Sequence, residues 1–482
     1  MKYLSSFRPN TTFLGILDDI FSPLRAALSV LSLNPEHWIN FSPGQNTKPH
    51  FARLSSRPAV SFSFGRFLLF LRWLLPSIIL KFNPYYSAPS GHILIFADTV
   101  NQLSVLDDIS HDLSSATSVC SLYKLPHDLP SHCNTNWKPI KFPISLCLFA
   151  IPLFLLRFTS LFRNLYSIDK RLLSWRLDGF LTIYIWLPFF YFYLSQTKPS
   201  FVLVSNDHNP STRSLIEICR LLKIKTGYVQ HASTSARFHQ LQFSYSFLDG
   251  LSSYESYLSC EGRLSPLSST EPNRHVFLTG IQRNLSSSLS TSNIIGIAFK
   301  EADGVNELVN LVTYLLPHFQ YFDIRCHPAT SHSTIVFIQQ SLNSKFVRVT
   351  KAQDTPVGQY LASLRCLIAG NSSIHLESAI CSCPSIYFEL KPQFSSDYYG
   401  FARKNICLSS SSKSSLLAIL LNIFSPNYCF SPNIESIQYY SASFGTKWQG
   451  KESQLVSSLI QQLSAGKTPS KLWGYRHFSP LP

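Results

Sequence analysis

Two serines stand where a short apolar run gives way to helical spacing, in CLIAGNSSIHLESAICSCPSIYFEL, residues 366–390. Asn371, Ser372 and Ser373 predict a helix start whose free N–H groups and dipole bind a substrate phosphate, with the hydroxyls as further donors. Plain helix capping is the alternative, because Ser and Asn are the commonest capping residues. Glu377 lies four residues after Ser373, one further than the glutamate of a capping box. We therefore expect Glu377 to accept hydrogen bonds from a ligand, such as the hydroxyls of a ribose.

A histidine follows another predicted strand, in YFDIRCHP, where Pro328 ends the strand. The proline presents His327 at the sheet edge, where an imidazolium can bind or protonate a leaving phosphate. Arg325, two residues earlier, is a further candidate for substrate binding. A structural histidine is the alternative. We expect His327 on the strand that adjoins the serine turn.

Two polar clusters follow predicted strands in the first half of the chain. Asn206, Asp207 and His208 come after FVLVS, and Gln230 and His231 come after TGYV. Ligands collect at the carboxyl ends of strands in open parallel sheets. A carboxylate and an imidazole on neighbouring strands can supply a general base and a positioning group for an acceptor hydroxyl, so Asp207 and His231 are catalytic candidates. The substrate-binding candidates are Asn206, His208 and Gln230. Hydrogen-bonded polar turns are the alternative.

Parallel sheets are needed to bring such clusters together. From residue 91, strands such as HILIFAD alternate with helices such as PSTRSLIEICRLLKI, the β-α-β rhythm of a parallel sheet. A serine-rich run interrupts the rhythm, which restarts at IIGIAFK. We predict an α/β chain of two doubly wound, Rossmann-like domains facing a cleft. Their bounds are 91–285 and 286–482, after an N-terminal extension with helical segments over 1–90.

Composition narrows the choice of partners. The 482 residues include 41 Lys and Arg against 26 Asp and Glu, a net charge of +15 that predicts an anionic partner. Nucleic acid is not expected, because the basic residues are dispersed and no RNP-like motif is present. GxGxxG, Walker, HExxH and nucleophile-elbow motifs are absent, and the eleven cysteines form no CxxC pair. We expect no metal site and no bound cofactor.

Three apolar stretches begin at Phe64, Phe142 and Phe180. None has the ~20 uninterrupted apolar residues that a membrane-spanning helix needs. Arginine and proline interrupt the first two, which fit either a helix lying in a membrane interface or a buried core helix. The third is expected to be a buried core helix. No secretory signal is recognised at the N-terminus, and we expect a cytoplasmic protein that is peripheral at the inner face of the plasma membrane.

The order of these motifs resembles a known family. FVLVSNDHNPSTRSLIEICRLLKIKTGYVQHAS, FLDG and VFLTGIQR resemble the N-terminal domain of bacterial GT-B glycosyltransferases of surface-polysaccharide synthesis, with Ala232 in place of the glycine of a Gln-His-Gly turn. RCHP and GNSSIHLESAICSCPSIYFEL are similar to the C-terminal domain shared by bacterial sialyltransferases, polysialyltransferases and CDP-glycerol glycerophosphotransferases. The resemblance covers about residues 90 to 400. The sialyltransferases also have an acidic-acidic-Gly motif, whose nearest match here is Glu301-Ala302-Asp303-Gly304. Because this match has an inserted alanine, the catalytic role of the motif is not carried over. We expect Asp303 to cap a helix instead.

The resemblance implies a metal-independent GT-B glycosyltransferase of capsule or other surface-glycan synthesis. Its C-terminal domain would hold a nucleotide-sugar donor, with the phosphates on His327, Ser372 and Ser373. Its N-terminal domain would receive a glycan or lipid-linked acceptor at an acidic membrane surface. Two alternatives stay open: transfer of a polyol phosphate from CDP-glycerol or CDP-ribitol, and a non-catalytic, membrane-associated glycan-binding scaffold.

Overall fold

The computed structural model contains two parallel β-sheets and the helices that cover them. The residues that the structure describes are 26, 29–30, 64–79, 91–113, 116–120, 137–169, 171–206, 209–234, 241–259, 275–282, 285, 292–328, 330–343, 345–391, 396–467 and 477–478. Two predicted site residues, Asp207 and His208, lie outside these ranges.

The strands assemble into two large sheets and one small one. Their bounds are β1 Ile78–Ile79, β2 Ile93–Ala97, β3 Ala116–Cys120, β4 Lys138–Pro139, β5 Phe142–Pro143, β6 Phe201–Val204, β7 Lys225–Val229, β8 Tyr245–Leu248, β9 His275–Leu278, β10 Ile294–Phe299, β11 Tyr321–Cys326, β12 Val347–Lys351, β13 Cys366–Ala369, β14 Ser385–Phe388, β15 Leu408–Ser410 and β16 His477–Phe478. The first sheet has the order β16-β9-β8-β7-β6-β2-β3-β4 and the second β12-β11-β10-β13-β14-β15, while β1 pairs with β5. All described pairings are parallel except that of β16 with β9.

Helices connect the strands and cover the sheets. Those with described bounds are α1 Phe64–Ser77, α2 Val100–Asp112, α3 Ile144–Asp169, α4 Arg171–Thr197, α5 Pro210–Leu221, α6 Leu251–Leu258, α7 Val305–Leu315, α8 His332–Ser341, α9 Val357–Ala362, α10 Ile374–Ile380, α11 Lys413–Ile423, α12 Ile434–Tyr440 and α13 Glu452–Ser464. Local sequence explains several helix starts. Thr99 and Ser331 cap α2 and α8 through their side chains, and Pro210 opens α5, where its fixed φ suits a first turn.

Apolar runs form the central strands because both faces of each sheet are covered. Every residue of β2 and of β6 is buried, as expected of parallel strands between helical layers. The third apolar stretch forms α4, and its segment Leu177–Thr197 is long and apolar enough to cross a membrane. That segment is 78% buried inside the first domain, which confirms the expected core helix.

The predicted fold class is confirmed: two Rossmann-like α/β domains, with a helical segment ahead of the first. Strands β2 to β4 and β6 to β9 belong to the first large sheet, and β10 to β15 form the second. The end of the chain then returns to the first domain, which the expected range 286–482 does not anticipate. Leu455 and Leu459 of α13 join the core around α2, and β16 extends the first sheet.

Candidate functional site

A cleft lies between the two domains, where residues that follow the strands of both sheets face each other. Its wide outer part is a cavity of about 500 Å³. Its narrow inner part is lined by residues that follow β7, β8 and β9 and by residues that open α10. Gln230, Ser233, Asp249 and Leu376 line both parts, so the two form one continuous cleft.

Four predicted site residues meet in the inner part of the cleft. Gln230 and His231 come from the first domain, and Ser373 and Glu377 from the second. His231 and Ser373 are half-buried and Glu377 is buried. The structure therefore places an imidazole of one domain in the same part of the cleft as a hydroxyl and a carboxyl group of the other.

Gln230 fixes the shape of the first-domain turn. Its Oε1 accepts a hydrogen bond from the N–H of Asp249 (3.0 Å), and its Nε2 donates to the carbonyl oxygen of Ala232 (2.9 Å). These bonds join the end of β7 to the end of β8. Because the linking group is a neutral amide, it holds His231 at the cleft without adding charge.

Asn206 closes the turn at the end of β6, which is the neighbour of β7. Its Oδ1 accepts from the N–H of Asn209 (2.9 Å). The Nδ2 of Asn209 in turn donates to Asp98 (2.9 Å), the buried residue that follows β2. Asn206 therefore supports the start of α5, whereas the roles expected for Asp207 and His208 stay predictions.

Asn371 ties the second-domain turn to three neighbours. Its Nδ2 donates to Glu389 (3.2 Å) and its Oδ1 accepts from the N–H of Tyr398 (2.7 Å). Its carbonyl oxygen accepts from the Nζ of Lys300 (3.0 Å), the residue that follows β10. The turn is thus attached to the ends of β10 and β14 and to the loop that carries Tyr398.

His375 supports the same turn from inside the domain, a role that sequence analysis missed. The imidazole is fully buried, with Nε2 3.2 Å and 3.1 Å from the carbonyl oxygens of Ala369 and Gly370, and Nδ1 3.0 Å from the Oγ of Ser385. Since carbonyl oxygens only accept, Nε2 carries the proton and Nδ1 accepts from the serine. Burial lowers the pKa of His375 from 6.5 to about 4, so the ring is neutral at neutral pH.

The helix that follows the serine turn is short, and its start differs from a capped one. α10 has seven residues, and Ser373 already has helical angles, φ −63° and ψ −18°. Its hydroxyl makes no capping hydrogen bond, whereas the Oγ of Ser372 accepts from the N–H of Ile374 at 3.4 Å. The side chain of Ser373 therefore lines the cleft instead of capping the helix.

His327 is not on the strand that adjoins the serine turn, and that expectation was wrong. β10 lies between β11, which precedes His327, and β13, which precedes the turn. Lys300 lies between them, at the end of β10. Its Nζ donates a hydrogen bond to the carbonyl oxygen of Asn371 and lies 3.7 Å from the carboxylate of Asp303. Partial burial of the His327 ring and the charge of Lys300 lower its pKa, so its imidazole is neutral at neutral pH in this state.

Arg325 and Asp303 have structural contacts. The guanidinium of Arg325 is buried, donates to the carbonyl oxygen of Ala352 (2.6 Å) and lies 4.9 Å from the ring centre of Tyr360. It is absent from the described lining of the cleft. Asp303 accepts from the N–H of Lys300 (3.0 Å), the capping role expected for it.

Sequence analysis missed the lining of the outer cleft. The first domain contributes serines of α6, and the second contributes aromatic and basic residues of the loop after β14. They are Ser252, Ser253, Ser256, Tyr398, Tyr399, Arg403, Lys404 and Tyr439, the last from α12. The serine spacing in SSYESYLS is a readable polar helix face, but nothing local in the loop indicates its position. No group of three His, Cys, Asp or Glu side chains suited to a metal is found among the described residues.

No protein-family model and no curated protein matches this sequence. Solved structures do match it over most of the chain. The UDP-GlcNAc 2-epimerase from Neisseria meningitidis bound to UDP-GlcNAc is 12% identical, with 77% of this chain and 100% of that chain covered and a TM-score of 0.43. MurG of Acinetobacter baumannii is 9% identical (78% and 100% covered, TM-score 0.44). The wall teichoic acid polymerase TagF with CDPG is 10% identical (84% and 98% covered, TM-score 0.46), and at such identities the likeness concerns the fold alone.

Proposed function

We propose that this chain is a glycosyltransferase that moves a sugar from a nucleotide-sugar to a hydroxyl group of a glycan acceptor. The observation that carries the proposal is the meeting of His231 with Ser373 and Glu377 in one cleft between two Rossmann-like domains. Such a cleft would hold a donor on one domain and an acceptor on the other, with the reacting atoms between them.

The second domain would bind the donor. Lys300 places an ammonium group at the end of the central strand β10, and the hydroxyl of Ser373 makes no capping bond. These groups would stabilise the nucleotide phosphate as its bond to the sugar breaks. His327 would become protonated as the anion binds, because nearby negative charge raises the pKa of an imidazole. Glu377 would accept hydrogen bonds from ribose hydroxyls.

The first domain would bind the acceptor. The imidazole of His231 would take the proton of the attacking hydroxyl, and Asp207 is the other candidate for this base. Further sugars of the acceptor would occupy the outer cleft, where serine hydroxyls offer hydrogen bonds and tyrosine rings offer apolar faces. We propose a surface polysaccharide or a lipid-linked glycan as that acceptor, in line with the family that the motifs resemble.

Nucleotide binding is the first test. Intact protein would be heated with CMP, CDP, UDP or GDP, and the midpoint of unfolding recorded. A functional donor site at ~100 times its dissociation constant should gain about 2.7 kcal/mol of stability from one of them. No stabilisation by any nucleotide would favour the scaffold alternative.

The second test measures sugar transfer to the acceptor, with the products detected by mass spectrometry. Ser372→Ala with Ser373→Ala should reduce turnover strongly, whereas Ser414→Ala with Ser415→Ala, an exposed pair at the start of α11, should not. Unchanged turnover in the first variant would contradict the proposal. A product that carries a polyol phosphate instead of a sugar would favour the CDP-alcohol alternative.

A further inference from the structure

Helix α3 carries apolar side chains on two opposite faces. Leu146 and Leu161 belong to the core of the first domain and are fully buried. Leu148, Leu155 and Leu156 are instead 56%, 64% and 72% exposed. A helix on the surface of a soluble protein normally turns a polar face to water. The outward apolar face of α3 therefore indicates a function.

The exposed side chains of α3 form a stripe. Leu148, Pro152, Leu155, Thr159 and Tyr166 are all exposed, and their spacing keeps them on one side of the helix. At 1.5 Å per residue the stripe is roughly 27 Å long. Single exposed leucines are ordinary, but a row of exposed side chains of this length is typical of an interaction surface.

Helix α1 packs on the same helix as α3 and also carries exposed apolar side chains. Its side chains Phe70 and Leu74 pack against the core, whereas Phe67, Leu68 and Leu75 are exposed. The pairing of β1 with β5 ties the end of α1 to the start of α3, and both helices pack on α4. We call the exposed apolar side chains of α1 and α3 the docking face.

Positive charges border the docking face. Arg72 on α1, Arg163 on α3, and Lys138 and Lys141 just ahead of α3 are exposed. Neither helix contains an acidic residue before Asp169, the last residue of α3. An apolar surface bordered by these positive charges is complementary to acidic lipid and less suited to a protein partner of mixed charge.

We propose that the docking face lies in the interface of a bilayer that contains acidic lipid, with α3 along the membrane surface. The leucines would enter the acyl boundary while the arginines and lysines contact headgroups. None of these residues lines the described cleft, so docking does not depend on the proposed transferase activity. It would hold the first domain, which carries His231, at a membrane.

Vesicle binding tests this proposal on the full chain. We expect the protein to sediment with vesicles of phosphatidylcholine and phosphatidylglycerol, and less with phosphatidylcholine alone. Leu155→Gln with Leu156→Gln should weaken binding about tenfold or more, because two leucines no longer enter the bilayer. Arg72→Gln and Arg163→Gln should each weaken it about fivefold, and added salt should reproduce that loss.

The matched control is Leu421→Gln with Ile434→Gln, two side chains of the second domain that are 52% and 58% exposed. This variant should bind acidic vesicles like the parent protein, and both double variants should unfold at the parent temperature. Three results would overturn the proposal: no binding to acidic vesicles, equal loss in the control, or conversion of a dimer to a monomer by the α3 variant with vesicle binding intact. The last result would make the docking face a contact between two copies of the chain.

Discussion

The two turns that meet in the cleft are held by different chemistry. In the first domain the amide of Gln230 joins two backbone groups by neutral hydrogen bonds. In the second domain the ammonium of Lys300 reaches the carbonyl oxygen of Asn371, and a buried imidazole, that of His375, lies beneath the turn. The first-domain turn is therefore held by groups that do not titrate, while the second-domain turn depends on a charge and on a neutral buried imidazole.

This difference matches what each wall is proposed to bind. An uncharged acceptor hydroxyl needs donors and acceptors in fixed positions, which amides supply at any pH. A nucleotide phosphate is an anion, and positive charge near it is worth more than a neutral hydrogen bond. Changes of pH or of charge should accordingly alter the stability of the second-domain turn and leave that of the first-domain turn largely unaffected.

The largest effect we expect is loss of stability in acid, through His375. Its pKa is about 4 in the folded chain and 6.5 ordinarily, so between these values the unfolded chain binds a proton that the folded chain does not. Stability that is complete above pH 6.5 is therefore lost as the pH falls to 4, by about 3 kcal/mol at about 1.4 kcal/mol per pH unit. Urea unfolding at a series of pH values measures this loss.

The variant His375→Gln isolates the effect of that one group. Glutamine keeps an N–H for the carbonyl oxygens beneath the turn but does not titrate. We expect the variant to be less stable at pH 7 and to lose less stability than the parent between pH 6.5 and 4. Parallel pH profiles for the two proteins would show that the second-domain turn is not the pH-sensitive one.

The next effect concerns Lys300. Lys300→Met should weaken nucleotide binding by about 2 kcal/mol, roughly 30-fold, since a hydrogen bond from a charged group is lost. The pKa of His327 should rise at the same time, because the charge of Lys300 contributes to lowering it. Calorimetry and an NMR titration of the ring measure the two changes. Lys351→Met, at the end of β12, which lies two strands from β10, is the control and should alter neither quantity.

Sequence alone predicted the parallel sheets and the ends of their strands. Runs such as FVLV in β6 and CLIA in β13 are short, apolar and followed by polar turn residues, which favours buried strands, and parallel strands place their carboxyl ends at one edge. That is why the positions of His231 and Ser373 near one cleft could be anticipated from local pattern. The order of strands within a sheet could not be anticipated in this way. For that reason His327 was wrongly expected on the strand next to the serine turn.

Other features depend on contacts distant in the sequence. α3 and α4 are consecutive, similarly apolar and both interrupted by a proline, yet α4 is buried and α3 is exposed along one side. Hydropathy measures what a helix could bury and not what covers it. His375 likewise looked like one residue of a helix, because its role depends on Ser385 of the next strand.

A smaller effect is expected on the first-domain wall. Gln230→Leu leaves the N–H of Asp249 and the carbonyl oxygen of Ala232 without this partner, which should cost about 1.5 kcal/mol of stability. The cost should be the same at pH 7 and pH 5, in contrast to the effect of His375. Gln102→Leu is the control, because Oε1 of Gln102 accepts a buried hydrogen bond from the N–H of Asp98 and does not line the described cleft. This variant should cost a similar amount of stability and leave the KM for the glycan substrate unchanged. A cost that varies with pH would remove the distinction between the walls.

The smallest effect tests whether the serine face of α6 binds the acceptor. Ser252→Ala removes one hydroxyl that lines the outer cleft, so the KM for the acceptor should rise about threefold to fivefold, as for one neutral hydrogen bond, with kcat unchanged. Ser458→Ala, an exposed position on α13, is the control and should leave KM unchanged. Both variants should keep their stability within about 0.5 kcal/mol. If Ser252→Ala changed the affinity for the nucleotide and not for the acceptor, the outer cleft would belong to the donor, and the assignment of one ligand to each wall would have to be reversed.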